Sequence, residues 1–299
     1  MNSVLFLILL PFICFLIGIS FMGIGTRIVA RIQRRIGPPL WQPFIDVIKL
    51  LSKQTTVSYG WVFDLGVWMA LAGAALVVYF LPFAGNQVFS GKADIIVLMY
   101  ILTIAPLGMA LGTAQAKNPY ASIGISRALM LMLGYDLPLV MVILGIITYA
   151  GSASFSDIIA AQQGGISNWY LLKMPIFAVV YFWVMIAEMG KHPFDIIVAP
   201  SEIASGPMVE YSGKYLGFLF IYMALHYYAA CALFVNFFMG GASNFIEFYL
   251  KMFSVFFLII WINAVMSRTT TQRAVYMYWT KPVALAFIGW LLYLGIRIF

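Results

Sequence analysis

Charge is scarce in this chain: Asp, Glu, Lys and Arg together make up 9% of its 299 residues. A soluble domain of this size cannot cover its surface with so few charges, which excludes an ordinary globular enzyme. Cysteine is scarcer still. Cys14 and Cys231 stand alone inside apolar runs, with no CxxC and no histidine at ligand spacing. The chain is therefore expected to hold no iron–sulfur cluster, zinc or other metal of its own. It has no Walker loop, HExxH, GxGxxG or Ser/His/Asp order, so no catalytic residue is assigned.

What is abundant is apolar surface, at 64% hydrophobic residues and a mean hydropathy of +0.99. Apolar runs of about 20 residues recur, each long enough to cross a bilayer as a helix. They lack the two-residue alternation of barrel strands, and only helices or closed barrels satisfy the backbone in hydrocarbon. The expected fold is an all-α polytopic membrane protein, a single integral membrane domain over residues 1–299. Its eight spans are placed near 3–24, 62–83, 94–115, 127–150, 174–190, 214–238, 248–266 and 281–298. The first run is longer than a signal-peptide core and lacks both a basic leader and a small-residue cleavage site, so it is read as a retained helix.

The basic residues orient the bundle. With the loop after the first span cytoplasmic, thirteen of the 17 Lys and Arg residues lie inside, leaving Lys92, Lys173, Lys251 and Arg297 outside. Basic loops favour the cytoplasmic side, so both termini are expected to face outward from the cell membrane. The net charge of +7 is then a topology signal; no basic run interleaved with aromatics points to nucleic acid. The polar chemistry gathers in four inner-face segments: 25–60, 116–127, 188–213 and 267–281.

Four of the ten acidic residues, Glu188, Asp195, Glu202 and Glu210, fall within the 26 positions from Glu188 to Gly213. Pro193, Pro200 and Pro207 interrupt the same stretch every seven residues. An unbroken helix would align Glu188, Asp195 and Glu202 on one face, but the prolines forbid it. Short pieces and turns are expected instead, tolerable at membrane depth only if buried in protein or lining water. Ionisable groups there are costly and mark ion paths or functional contacts. Glu188, Glu202 and Glu210, with Asp136 of the fourth span, are the ion-path candidates. A solvated loop with scattered acids is the plainer alternative, against which the apolar Ile196, Ile197, Val198, Ile203 and Met208 weigh. For Asp136, an interhelical hydrogen bond near a helix end stands equal to an ion-path role.

In the first inner segment, Arg27, Arg31, Arg34 and Arg35 are spaced to share one side of a helix extending past the membrane, with Gly37-Pro38-Pro39 ending it. Pro43 restarts a helix whose apolar stripe is Phe44, Val47, Ile48 and Leu51. That helix could lie on lipid or against a partner. Near the last inner loop, Tyr276, Tyr278 and Trp279 are read as an interfacial aromatic belt. His226 is read as a hydrogen-bonded packing residue.

Together these segments resemble the H-type membrane subunit of respiratory complex I and of its relatives, the membrane-bound group 4 [NiFe] hydrogenases. RRIGPPLWQPFIDVIKLLSK carries the resemblance at Arg35, Gly37, Pro38, Gln42, Pro43, Asp46, Lys49, Leu50 and Lys53. KNPYASIGISRALMLMLGYD carries it at Arg127, Ala128, Leu129 and Tyr135, with Asp136 in the acid position. EMGKHPFDIIVAPSEIASGPMVEYSG carries it at Glu188, Pro193, Phe194, Asp195, Glu202, Gly206, Val209, Glu210, Tyr211, Ser212 and Gly213.

The resemblance implies a membrane subunit without its own redox centre. Such a protein anchors a peripheral electron-transfer arm and links redox energy to proton or sodium transfer beside antiporter-like membrane subunits. Iron–sulfur clusters, and in the hydrogenases the nickel–iron centre, sit on large and small partner subunits. Arg34, Arg35, Asp46, Lys49, Lys53, Arg127 and Asp195 are the implied arm-docking residues. Val198 and Pro200 stand where complex I members carry glutamates, and Gln54 and Gln272 replace acids. These losses favour an archaeal-type, ferredoxin-linked hydrogenase or sulfane-sulfur reductase over the alternative, a quinone-site subunit of a complex I dehydrogenase. An alternative of another class is a stand-alone secondary transporter, but the chain carries no second copy of the proline-broken segment.

Overall fold

The structure, a computed structural model, describes residues 3–56, 58–89, 91 and 94–298, with side chains from 6 to 293 within those ranges. Lys92 and the side chain of Arg297, both in the outer basic set, lie outside the described residues. The described residues are helical apart from turns and a single bridged pair, Phe83 with Asn86. In chain order the helices are α1 (Ser3–Ile32), α2 (Gln42–Ser52), α3 (Trp61–Phe80), α4 (Asp94–Ala114), α5 (Pro119–Ala150) and α6 (Phe155–Ala161). They continue as α7 (Tyr170–Lys173), α8 (Pro175–Glu188), α9 (Pro200–Ile203), α10 (Gly213–Phe238), α11 (Phe245–Val265) and α12 (Thr271–Ile298).

Seven of these, α1, α3, α4, α5, α10, α11 and α12, are long and apolar enough to cross a membrane. The fifth expected span is α8, with 14 residues. At ~1.5 Å per residue it is about 21 Å long, against roughly 30 Å of hydrocarbon. Pro175 starts it in the first turn. It ends at a left-handed Gly190 (φ 59°), whose N–H donates to Ala187 O (2.9 Å) while Lys191 N–H donates to Ile186 O (3.0 Å). This 5→2 and 6→1 pair closes a helix and needs the glycine's conformational freedom. The last residue of α8, Glu188, lies against His226, so α8 ends level with the middle of α10.

The core is built on α10, the most buried long helix, flanked by α1, α3, α8 and α11, with the amphipathic α2 lying across it. α3 and α4 form a tight hairpin in which Gly66 faces Gly108 and Gly112; a Cβ on Gly66 would collide with the Gly112 backbone. Without a hydrophobic force between helices in lipid, such close backbone approach supplies the packing. α5 pairs with α12 and α8. At the end of α10 away from the acidic segment, the buried Gln162 accepts from Tyr170 N and Gly240 N (both 3.1 Å) and donates to Phe237 O (3.2 Å). Lys251 donates to Met239 O (3.0 Å) and Gly241 O (2.7 Å).

Four expectations change. α1 ends at Ile32, before Gly37, because Arg34 adopts the left-handed conformation (φ 57°). Arg35 N–H reaches Ala30 O at 2.7 Å and Arg34 N–H reaches Arg31 O at 3.1 Å, the same closing pair as at Gly190. Arg34 and Arg35 therefore lie beyond the helix face that carries Arg27 and Arg31. The α2 stripe splits: Val47 is buried and Leu51 packs near Gly217 of α10, while Phe44 and Ile48 stay exposed. Tyr278 is core, not belt; its hydroxyl donates to Trp183 O (2.8 Å), while Tyr276 and Trp279, on the other side of the helix, are exposed. Two helices begin ahead of their apolar runs: α5 at Pro119 and α12 at Thr271. Asn118 starts α5 by accepting from Tyr120 N (2.9 Å).

Candidate functional site

Between Met189 and Ser212 the prolines prevent regular helix, leaving the four-residue α9 and a single 3-10 turn at Gly206–Met208. α9 is bracketed by residues in the left-handed region: Ala199 (φ 27°) before it, Ala204 (φ 48°), Ser205 (φ 86°) and Gly206 (φ 54°) after it. At Gly206 a Cβ would strike Ile197 O. The non-glycine positions each cost on the order of 1 kcal/mol and persist only where surrounding contacts over-determine them.

Ion pairs and hydrogen bonds both supply such contacts. Arg127 Nη1 of α5 lies 2.7 Å from Glu202 Oε2. Arg268, between α11 and α12, lies 3.3 Å from Glu202 Oε1 and 3.2 Å from Asp195 Oδ2. Thr269 adds a backbone N–H (3.0 Å) and a hydroxyl (2.9 Å) to Pro193 O, and His192 N–H donates to Asn263 Oδ1 (2.9 Å). The two guanidinium groups hold the Glu202 carboxyl below its usual range. Burial lowers the His192 pKa, although neighbouring Asp195 opposes the shift. Two basic residues from separate elements thus pin the acidic segment onto the bundle.

Beside this latch lies a cavity of about 360 Å³, bordered by Gln33, Lys191, His192, Asp195, Asn263, Glu188 and His226. The Glu188 side chain is only 6% exposed, and its Oε2 has no hydrogen-bond partner among the described residues. His226 Nε2 lies 3.0 Å from Glu188 backbone O and 4.0 Å from its Oε1. The same two residues border a small hollow of about 60 Å³ and a lateral cavity of about 390 Å³ between α4 and α5. Asp136 lines that lateral cavity, with Pro106 of α4 and Tyr135 nearby. Glu188 and Asp136, 52 positions apart, thus share one cavity wall.

Glu202 and Glu210 do not line the cavities that Glu188 borders. Glu210 sits toward the α3–α5 side, accepting from Tyr59 Oη (2.9 Å) and Asn118 Nδ2 (2.7 Å). This interaction raises the Tyr59 pKa. Of the docking candidates, Arg127 and Asp195 are engaged in the latch, and Asp46 accepts from Gln42 Nε2 (2.8 Å). Arg34, Arg35, Lys49 and Lys53 are exposed and make no salt bridge among the described residues. They are joined by exposed Ile36, Trp41, Phe44 and Ile48.

Sequence reading did not single out Arg268 or assign His226 to the acids. Their partners lie 66 to 73 and 38 positions away, so no local spacing reveals them. For His226 the only available signal is a histidine inside an apolar span.

A family model described as NADH dehydrogenase matches residues 4–294. The H-type subunits of NADH-quinone oxidoreductase from Bacillus thuringiensis (strain Al Hakam) and Bacillus anthracis (strain A0248) are each 32% identical to this chain over 285 residues, covering 87% of it and 84% of their own length. Among solved structures, a chain of the membrane-bound sulfane sulfur reductase, an archaeal respiratory membrane complex, superposes with a TM-score of 0.92. That match has 34% identity and covers 98% of this chain and 100% of the other.

Proposed function

Because the chain belongs to the NADH dehydrogenase family of membrane subunits, alongside those H-type relatives, we propose that it is the anchor and coupling subunit of a multi-subunit, ferredoxin-linked oxidoreductase. The hydrogenase or sulfane-sulfur-reductase type is favoured by the full-length likeness to a chain of the sulfane sulfur reductase complex. The apolar or imino side chains of Val198 and Pro200 in the acidic segment favour it too. In this reading Arg34, Arg35, Asp46, Lys49 and Lys53 hold the peripheral arm, and Arg127 and Asp195 brace the segment beneath it. Iron–sulfur clusters, and any nickel–iron centre, belong to the large and small arm subunits. Antiporter-like membrane subunits take up the coupled ion, and both termini face outward.

The observation that carries the coupling role is that Glu188 lines both the cavity beside the acidic segment and the lateral cavity that Asp136 also lines. A carboxylate in that position can exchange with the inner face and with the membrane interior. Glu202 and Glu210, which line none of these cavities, would act on the route through the segment's shape and charge. The test is Glu188→Gln in the intact complex sealed in vesicles. Redox turnover without ion pumping is expected; pumping at the wild-type ratio to turnover would remove Glu188 from the path. The quinone-site alternative draws on the names of the Bacillus relatives. Turnover blocked by quinone-site inhibitors would favour it.

A further inference from the structure

One group at the cavity junction is left without a role by the carboxylates alone. His226 borders the inner cavity, the small hollow and the lateral cavity, as Glu188 does. Its Nε2 lies 3.0 Å from the Glu188 backbone carbonyl. A carbonyl oxygen can only accept, so Nε2 carries the hydrogen and Nδ1 is the nitrogen free to take a proton. The same Nε2 is 4.0 Å from the Glu188 carboxylate oxygen Oε1. A small rotation, or one water in the adjoining hollow of about 60 Å³, closes that gap.

We propose that His226 is the proton-relay partner of Glu188, passing protons from the inner cavity to the carboxylate that faces Asp136. A proton from water in the inner cavity binds Nδ1, giving the imidazolium. The Nε2–H bond then breaks as an O–H bond forms at Glu188 Oε1, leaving neutral histidine protonated on Nδ1 and neutral glutamic acid. Ring rotation or tautomer exchange restores the starting form once Glu188 has passed its proton on toward Asp136.

The groups around the pair fit this role. Glu188 comes from α8, Asp136 and Tyr135 from α5, Tyr222 and Tyr227 from α10 itself, and Lys191, His192 and Asp195 from the inner segment. The carboxylates favour the imidazolium and Lys191 opposes it; Lys191 is turned toward the Tyr227 ring, 4.7 Å from its centroid. The geometry also assigns the ion at this step. Sodium in membrane proteins is held by backbone carbonyl oxygens, whereas here the Glu188 carbonyl accepts an imidazole N–H and the same donor stands 4.0 Å from Oε1.

This inference rests on the coupling role proposed for Glu188, and the experiment separates the two. The intact complex is placed in sealed vesicles with His226→Gln, which keeps an N–H donor but carries no transferable proton, and with Glu188→Gln. His226→Asn stands in if the first variant does not assemble. Loss of redox-coupled proton uptake is expected in His226→Gln at retained redox turnover. A shift is also expected in the carboxylic-acid C=O infrared band that Glu188→Gln identifies as Glu188. Uptake in the wild type should persist when potassium replaces sodium. Wild-type uptake and an unmoved Glu188 band in the histidine variants, with uptake lost in Glu188→Gln, would overturn the relay alone. Wild-type uptake in Glu188→Gln would overturn the coupling role and the relay together. Dependence of this uptake on sodium would overturn the proton assignment.

Discussion

Arg127 and Glu202, 75 positions apart in the chain, meet at 2.7 Å and join α5 to the acidic segment. Arg268 holds the other Glu202 oxygen and also Asp195. The pairs are part-exposed, so salt screens them and each contributes modestly to global stability. Their effect is local, because α9 hangs between left-handed residues. Arg268→Ala is expected to expose residues 195–206 to limited proteolysis more than Arg127→Ala does, with little change in the melting of the bundle. Equal protection in both variants would show that packing alone holds the segment.

Acid should loosen the same segment. The folded pKa of Glu202 is depressed by Arg127 and Arg268, and that of His192 by burial. A depressed folded pKa contributes stability that is present above the unfolded value and lost as pH falls through the folded one. The loss therefore starts below the ordinary histidine value of 6.5 for His192 and below 4.5 for Glu202. Hydrogen exchange of residues 192–206 should accelerate in that order as pH is lowered. Glu202→Gln should remove the lower of the two steps.

Glu210 is tied to two elements through Tyr59 and Asn118. Asn118 also caps α5, so Asn118→Ala removes two bonds where Tyr59→Phe removes one. The lost cap alone costs about 1 kcal/mol. Thermal unfolding of the complex should show the larger shift for Asn118→Ala. A double-variant cycle with Glu210→Gln should show coupling at both positions.

Arg34 and Arg35 extend from a closed helix end with no acidic partner among the described residues. In the proposed assembly, paired reversal to Glu is expected to release the peripheral arm at a lower salt concentration than in the wild type. Retention of the arm through the whole salt series would place the docking surface elsewhere.

The prolines made the segment legible: Pro193, Pro200 and Pro207 announce a region that cannot be a span. The eight apolar runs likewise announced the bundle, because hydrocarbon leaves the backbone few alternatives. What spacing could not supply was phase and long-range pairing. Tyr278 turned inward while Tyr276 and Trp279 turned out, since helical phase is set by what α12 packs against. His226 and Arg268 became meaningful only once α8, α10 and the α11–α12 connection were brought together. The end of α1 was hidden for a different reason, since an arginine takes the left-handed position that glycine usually fills.

The shortness of α8 has an electrical consequence. In the proposed coupling role, water filling the cavity that Glu188 lines would carry the potential of the inner compartment as far as that residue, and the transmembrane voltage would drop mainly across the remaining thickness. Moving one elementary charge through the full potential is worth about 2.3 kcal/mol per 100 mV. A proton at Glu188 would then have crossed little of that field. On the proposed route, the voltage-sensitive part of the transfer begins at Glu188, on the side that leads to Asp136.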